Sequence, residues 1–139
     1  MKMENIKIII DWCDKNFSAV TEDDRLCGMV IATGRTYEEL ISNLRGAISS
    51  HVEGLLEDGE HLPKWLMDGD YAFVETLSTA ALIRKAEKYT TLIAISRVTG
   101  INPALLNHYA TGLKKPREKQ HIRILEGIRH IGEYLSIIR

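Results

Sequence analysis

The stretch Leu92-Ile-Ala-Ile-Ser-Arg-Val-Thr-Gly100-Ile-Asn-Pro-Ala-Leu-Leu-Asn-His-Tyr-Ala-Thr-Gly112-Leu113 decides how the chain is read. Thr90 or Thr91 can cap a helix that ends at Thr99-Gly100. Asn102 followed by Pro103 starts another, because Asn accepts from the first free amides and proline at the first helical position lacks only an amide that had no partner. Two short helices therefore meet across a tight turn. Ile95 and Ser96 face inward, the small Ser96 letting the second helix approach. Gly100 supplies the positive φ of the turn, Ile101 plugs the core, and Leu106 anchors the second helix from below. Pro103, Ala104, Asn107 and His108 stand at i, i+1, i+4 and i+5 and are expected to share an exposed outer face. This is helix-turn-helix spacing, in which such a face meets base edges in the major groove.

The flanking sequence extends the helical pattern. Ser78 can cap a helix running to about Tyr89, and no strand signal occurs from there to the end. Lys114-Lys115-Pro116 is a basic loop. Arg117 to Ile138 reads as a last helix, with Ile124, Ile128, Ile131, Leu135 and Ile138 spaced 4-3-4-3. Gly127 and Gly132 lie inside it, each costing about 1 kcal/mol against Ala. A close-packed neighbour would offset that cost, either a helix of the same domain or a dimer seam.

Toward the N-terminus the pattern changes. Ile6-Lys-Ile-Ile-Ile10 is β-branched and reads as a buried strand. Cys13-Asp-Lys-Asn16 is a turn, Phe17 to Thr21 a second strand, and Met29 to Ala32 a third, before the break at Gly34. Thr36-Tyr-Glu-Glu39 is a capping box that opens a long helix. Leu40, Ile41, Leu44, Ile48, Val52, Leu55 and Leu56 form its apolar stripe, and Asp58-Gly59 ends it. Residues 60–70 read as a connection holding Trp65-Leu-Met67, and Tyr71 to Glu75 as a fourth strand. The fold class is α+β: a β-β-β-α-β domain over residues 1–77, followed by an all-α helix-turn-helix domain over 78–139.

Charge divides at the same place. Residues 1–83 carry 7 Lys/Arg against 15 Asp/Glu, a net of −8, and residues 84–139 carry 11 against 4, a net of +7, which together return the overall −1. A basic half follows phosphates, while an acidic half repels them and suits a basic protein.

The segment Leu92–Tyr109, with Gly112 and Lys114-Lys115-Pro116, resembles the Xre/λ-repressor class of helix-turn-helix domain. The resemblance implies that Asn107 and His108 touch bases or phosphates, with Asn102, Pro103 and Ala104 on the same surface and Thr111, Lys114 and Lys115 on the backbone side. Pro103 and Ala104 stand where polar base-readers are common in that class. Residues 5–77 resemble HicB antitoxins, through Gly28-Met-Val-Ile-Ala-Thr-Gly34, Arg35-Thr-Tyr-Glu-Glu-Leu40, the helix from Ala47 to Glu60 and the order of elements. Where that family carries Pro-Gly-Cys before the third strand, this chain reads Leu26-Cys27-Gly28. The resemblance implies a truncated RNase H-like domain that occludes a small basic mRNA-cleaving HicA-like toxin, and a second domain that represses its own promoter. The expected partners are thus operator duplex DNA, the toxin, and further copies of the chain as a dimer or dimer of dimers. A stand-alone dimeric regulator without a toxin is the alternative. Trp65 is the candidate protein-interface residue.

Other chemistry is thinly represented. RNase H chemistry uses converging carboxylates on metal ions, and Asp11, Glu53 and Asp70 are the candidates, but they are scattered through a domain rich in acids. The five histidines lack metal-ligand spacing. The chain is therefore expected not to be an enzyme and to need no cofactor or metal. Cys13 and Cys27 lack a C-x-x-C spacing and suit structural thiols in a reducing cytoplasm. No apolar run is long enough to span a bilayer and the first residues lack a signal-peptide pattern, so a cytoplasmic location is expected.

Overall fold

Ile6, Ile8 and Ile10 are fully buried while Lys7, Ile9 and Asp11 between them face outward, the period of two that makes β1 (Glu4–Cys13) a one-sided strand. In the computed structural model, which describes residues 3–139, β1 turns directly into β2 (Asn16–Thr21). The two-residue connection holds Asp14 at φ 50° and Lys15 at φ 67°. Two positive φ values in a row match the right-handed twist of a hairpin. The register pairs Ile10 with Ala19 and Trp12 with Phe17, whose rings meet edge to face at 4.8 Å.

β3 (Ile31–Gly34) pairs antiparallel with β2, and β4 (Tyr71–Leu77) lies on the far side of β1, giving the order β3-β2-β1-β4. The third strand starts two residues later than the sequence suggests. Val30 donates its amide to Thr21 Oγ1 at 3.0 Å, outside a regular ladder, and Gly28 sits at φ 143° against His51. His51 Nε2 lies 2.6 Å from Leu26 O and fastens the preceding 3-10 turn (Asp24–Leu26) to the helix.

That helix, α1 (Tyr37–Glu57), starts where Thr36 Oγ1 accepts from the Glu39 amide at 3.1 Å. Gly34 is required there: a Cβ would run into the Leu40 backbone. Leu40, Leu44, Ile48 and Val52 are buried against one sheet face. The apolar stripe is shorter than its sequence, for Leu55 is half-buried and Leu56 exposed. The stretch read as a plain connection contains a short helix, α2 (Lys64–Met67), which buries Leu66. Cys13 and Cys27 are both exposed, so neither is a core thiol.

A second compact unit runs Leu77–Arg139, the first ending at Thr76. It is built from α3 (Thr79–Ala86), α4 (Leu92–Thr99), α5 (Pro103–Thr111) and α6 (Glu118–Ser136). Ser78 and Thr91 cap α3 and α4 through their hydroxyls. Leu82, Ile83, Ala86, Ile95, Ile101, Leu106, Tyr109, Ala110 and Ile124 form its core. α3 ends at Ala86, three residues short of the sequence reading. α6 ends at Ser136, so Ile138 of the 4-3-4-3 stripe lies beyond the helix; of the stripe only Ile124 is fully buried, Ile128 and Ile131 are half-buried, and Leu135 and Ile138 are exposed. Among the described residues, no helix is long and apolar enough to cross a membrane. Among the described residues the fold is mixed α/β, with a four-stranded sheet and six α-helices.

Candidate nucleic-acid interface

The turn between α4 and α5 is three residues, Gly100-Ile101-Asn102, and each has a separate job. Gly100 closes α4 at φ 74°, its amide donating to Ser96 O at 2.8 Å. Ile101 is buried, and its carbonyl accepts from Ser96 Oγ at 2.6 Å while its amide donates to Thr99 Oγ1 at 3.2 Å. Asn102 Oδ1 accepts from the Ala104 amide at 2.8 Å and starts α5 ahead of Pro103. The hydrogen bonds of the turn are thus made internally, and the angle between the two helices is set by buried side chains.

On α5, Leu106, Tyr109 and Ala110 are buried, which turns Pro103, Ala104 and Asn107 outward. His108 differs from expectation. It is half-buried, and its Nδ1 is enclosed without a hydrogen-bond partner. His108 is thus fractionally less exposed than Asn107. Asn102 has committed its oxygen to capping, which leaves its amide nitrogen as the outward polar group. Gly112 at φ 80° ends the helix, and the Lys114 amide donates to His108 O at 3.2 Å, so the basic loop folds back on α5. Thr111, Lys114 and Lys115 are exposed there. Arg84 Nε donates to Ala110 O at 3.2 Å and pairs with Glu87 at 3.0 Å, fixing the end of α5 to α3.

One basic residue near this surface escapes a reading of the α4–α5 stretch alone. Arg123, on α6, brings its guanidinium to the turn: a Cβ on Gly100 would lie 3.1 Å from Arg123 Nη2. The signal is absent locally because 23 residues separate the two positions. Gly127 repeats the theme, its missing Cβ leaving room for Thr99 Cγ2, which would otherwise lie 2.5 Å away. α6 therefore packs tightly on the end of α4. The charge of this unit is the +7 of residues 84–139, since residues 77–83 carry none.

The acidic unit presents a different surface. Trp65 is half-buried, edge-on to Tyr71 at 6.4 Å and capped by the Arg25 guanidinium 4.6 Å from its ring centre. Arg25 is itself held by Asp23 at 2.7 Å, Glu4 at 2.8 Å and Asn5 O at 2.7 Å. Trp65 is therefore engaged within its own unit. Another open apolar surface lies on the sheet face opposite α1. There Ile9 pairs with Val20 and Val20 with Ile31, a β-branched row with Ile9 and Ile31 exposed, and Val74 is exposed on β4. A bare sheet face is ordinarily polar. The Ile8-Ile-Ile10 run carried the signal: one helix covers one face, so Ile9 must point to the other.

The acids do not converge. Asp11 faces the side away from α1, where Asp11 Oδ1 accepts from the Trp12 amide at 2.8 Å, whereas Glu53 is on α1 itself and Asp70 is exposed ahead of β4. Among the described residues, no three His, Cys, Asp or Glu side chains gather as a metal site. Compared with known protein families, with curated proteins and with solved structures, the chain matches none.

Proposed function

We propose that the Leu77–Arg139 unit is a helix-turn-helix domain that binds duplex DNA with α5 in the major groove. One observation carries this reading: a three-residue turn, closed by its own hydrogen bonds, sets up an α5 whose outer face is exposed and whose end runs into a lysine loop, in a unit of net charge +7. Pro103 and Ala104 offer little hydrogen bonding, although Ala104 suits a thymine methyl, and Asn107 is the residue suited to an adenine edge. Lys114 and Lys115 supply phosphate contacts, with Thr111 beside them. Binding is thus dominated by charge and only modestly selective per site.

The acidic unit, on this reading, docks a basic protein, and the whole chain acts as an antitoxin of HicA/HicB-like type that represses its own promoter. Net charge −8 and the row Ile9–Val20–Ile31, exposed at Ile9 and Ile31, support a cationic partner with an apolar centre. With Trp65 already covered by Arg25, this row is the better anchor. Co-expression of the full chain with the product of the adjacent reading frame tests the partner. Copurification that is weakened by Ile9→Asp with Ile31→Asp is expected, and absence of copurification leaves the stand-alone regulator in its place.

A further inference from the structure

Arg123 stands over the turn between α4 and α5 with most of its hydrogen-bonding capacity unspent. The residue is exposed on α6, and its guanidinium rests on Gly100, where an added Cβ would lie 3.1 Å from Nη2. Its hydrogen bond goes to Gln120 Oε1 on the same helix, at a long 3.5 Å. A guanidinium carries five donors in a planar fork, so the greater part of this fork is open. Glu126 lines the same cleft of about 300 Å³ beside Val98, Thr99, Gly127 and His130, yet among the described residues no ion pair joins it to Arg123. Thr99 Oγ1 is already engaged, donating to Ile95 O at 2.7 Å and accepting from the Ile101 amide.

We propose that Arg123 binds a backbone phosphate of duplex DNA at the start of α5, opposite the lysine loop at its end. The inference rests on α5 lying in the major groove. Only Ile101 and Asn102 separate Gly100 from α5, so a guanidinium held on Gly100 is close to the exposed residues Asn102, Pro103 and Ala104. Lys114 and Lys115 follow Gly112 at the other end. Between these cations α5 has nine residues. That is a length of about 13 Å, close to the roughly 12 Å width of the major groove. A helix of that length with a cation at each end reaches phosphates of both strands.

Arginine suits the task because its fork gives two parallel bonds to one phosphate. Contact with Gly100 limits where the side chain points, so less freedom is lost on binding. A cation at this place has one other use, relief of the partial negative charge on the last carbonyls of α4. Among the described residues, however, no hydrogen bond runs from Arg123 to an α4 carbonyl. The two uses separate cleanly: a helix-end cation acts on stability, and a phosphate contact acts on the salt dependence of binding.

Titration of the full chain onto duplex DNA from its own upstream region, and onto an unrelated duplex of equal length, tests the proposal when repeated over a salt series. Arg123→Ala should reduce the slope of log affinity against log salt by about 0.9 on both duplexes alike, with the melting temperature of the chain unchanged. Arg123→Lys should keep the slope and still weaken binding, since the charge remains and the fork is lost. Arg129→Ala is the control. It removes the same charge from an exposed position about 240° further round α6, so the wild-type slope should persist. A slope lowered by Lys114→Ala with Lys115→Ala but not by Arg123→Ala would overturn the role of Arg123 and leave the reading of α5 standing. A slope lowered equally by Arg129→Ala, or a fall in melting temperature with an unchanged slope, would also overturn it. A wild-type chain with no affinity for either duplex would remove the reading of α5 as well.

Discussion

Two glycines on one helix show how the meaning of a residue depends on what stands beside it. Gly127 and Gly132 carry the same intrinsic cost in α6 and face different surroundings. Gly132→Ala should stabilise the unit by about 1 kcal/mol through helix propensity alone. Gly127→Ala gains the same propensity but drives a methyl into Thr99 Cγ2 and Val98 Cγ2, and overpacking of this sort costs about 1–3 kcal/mol. Thermal denaturation should therefore move in opposite directions for the two variants, and a common rise would show that α4 yields without cost. Asp23 offers a second test. The Arg25 side chain bonded to it, above all, holds its carboxyl below the ordinary range, with the Arg25 amide adding to that hold. A depressed folded value means stability that is present at neutral pH and is lost as pH falls below about 3.8. Asp23→Asn should lower stability at pH 7 and flatten the acid limb of the unfolding curve below pH 4. An unchanged limb would mean that the cluster of Asp23, Arg25 and Glu4 is too open to water to matter.

At the scale of elements, caps and turns were the most legible features. Thr36, Ser78, Thr91 and Asn102 each cap a helix as their side chains suggest, and Gly100 and Gly112 end α4 and α5 at positive φ. These are local interactions between neighbours in sequence, which is why residue order discloses them. What order conceals is coverage. The apolar period of the sequence continues to Leu56 in α1 and to Leu135 in α6, yet the last fully buried apolar side chains are Val52 and Ile124. The short α2 was hidden by length, since four residues give no period. The same distinction governs the candidate site. Exposure of Pro103, Ala104 and Asn107 follows from the α5 period, while the half-burial of His108 and the approach of Arg123 to the turn depend on tertiary packing. On α5, Asn107→Ala should relax selectivity at one base pair by roughly 1–3 kcal/mol and leave affinity for other sequences little changed. Competition binding with single-position operator variants checks this, and a uniform loss across all sequences would reassign Asn107 to a phosphate.

For the molecule as a whole, the boundary between units at Thr76 and Leu77 coincides with the change from net −8 to net +7. Charge of opposite sign on two separately packed cores suits two partners of opposite charge, a nucleic acid and a basic protein. Among the described residues, no three His, Cys, Asp or Glu side chains gather as a metal site, and exposed apolar side chains include Ile9 and Ile31 on the sheet and Leu135 near the end of α6. The functional reading rests on α5 and its lysine loop. Fluorescence anisotropy of the full chain on duplex DNA from its own upstream region, repeated over a salt series, measures this most directly. Binding should weaken linearly on a log–log plot, and Lys114→Ala with Lys115→Ala should reduce the slope by about 0.9 for each phosphate no longer neutralised, on every sequence alike. No binding at low salt, or a double variant with an unchanged slope and an altered base preference, would contradict it.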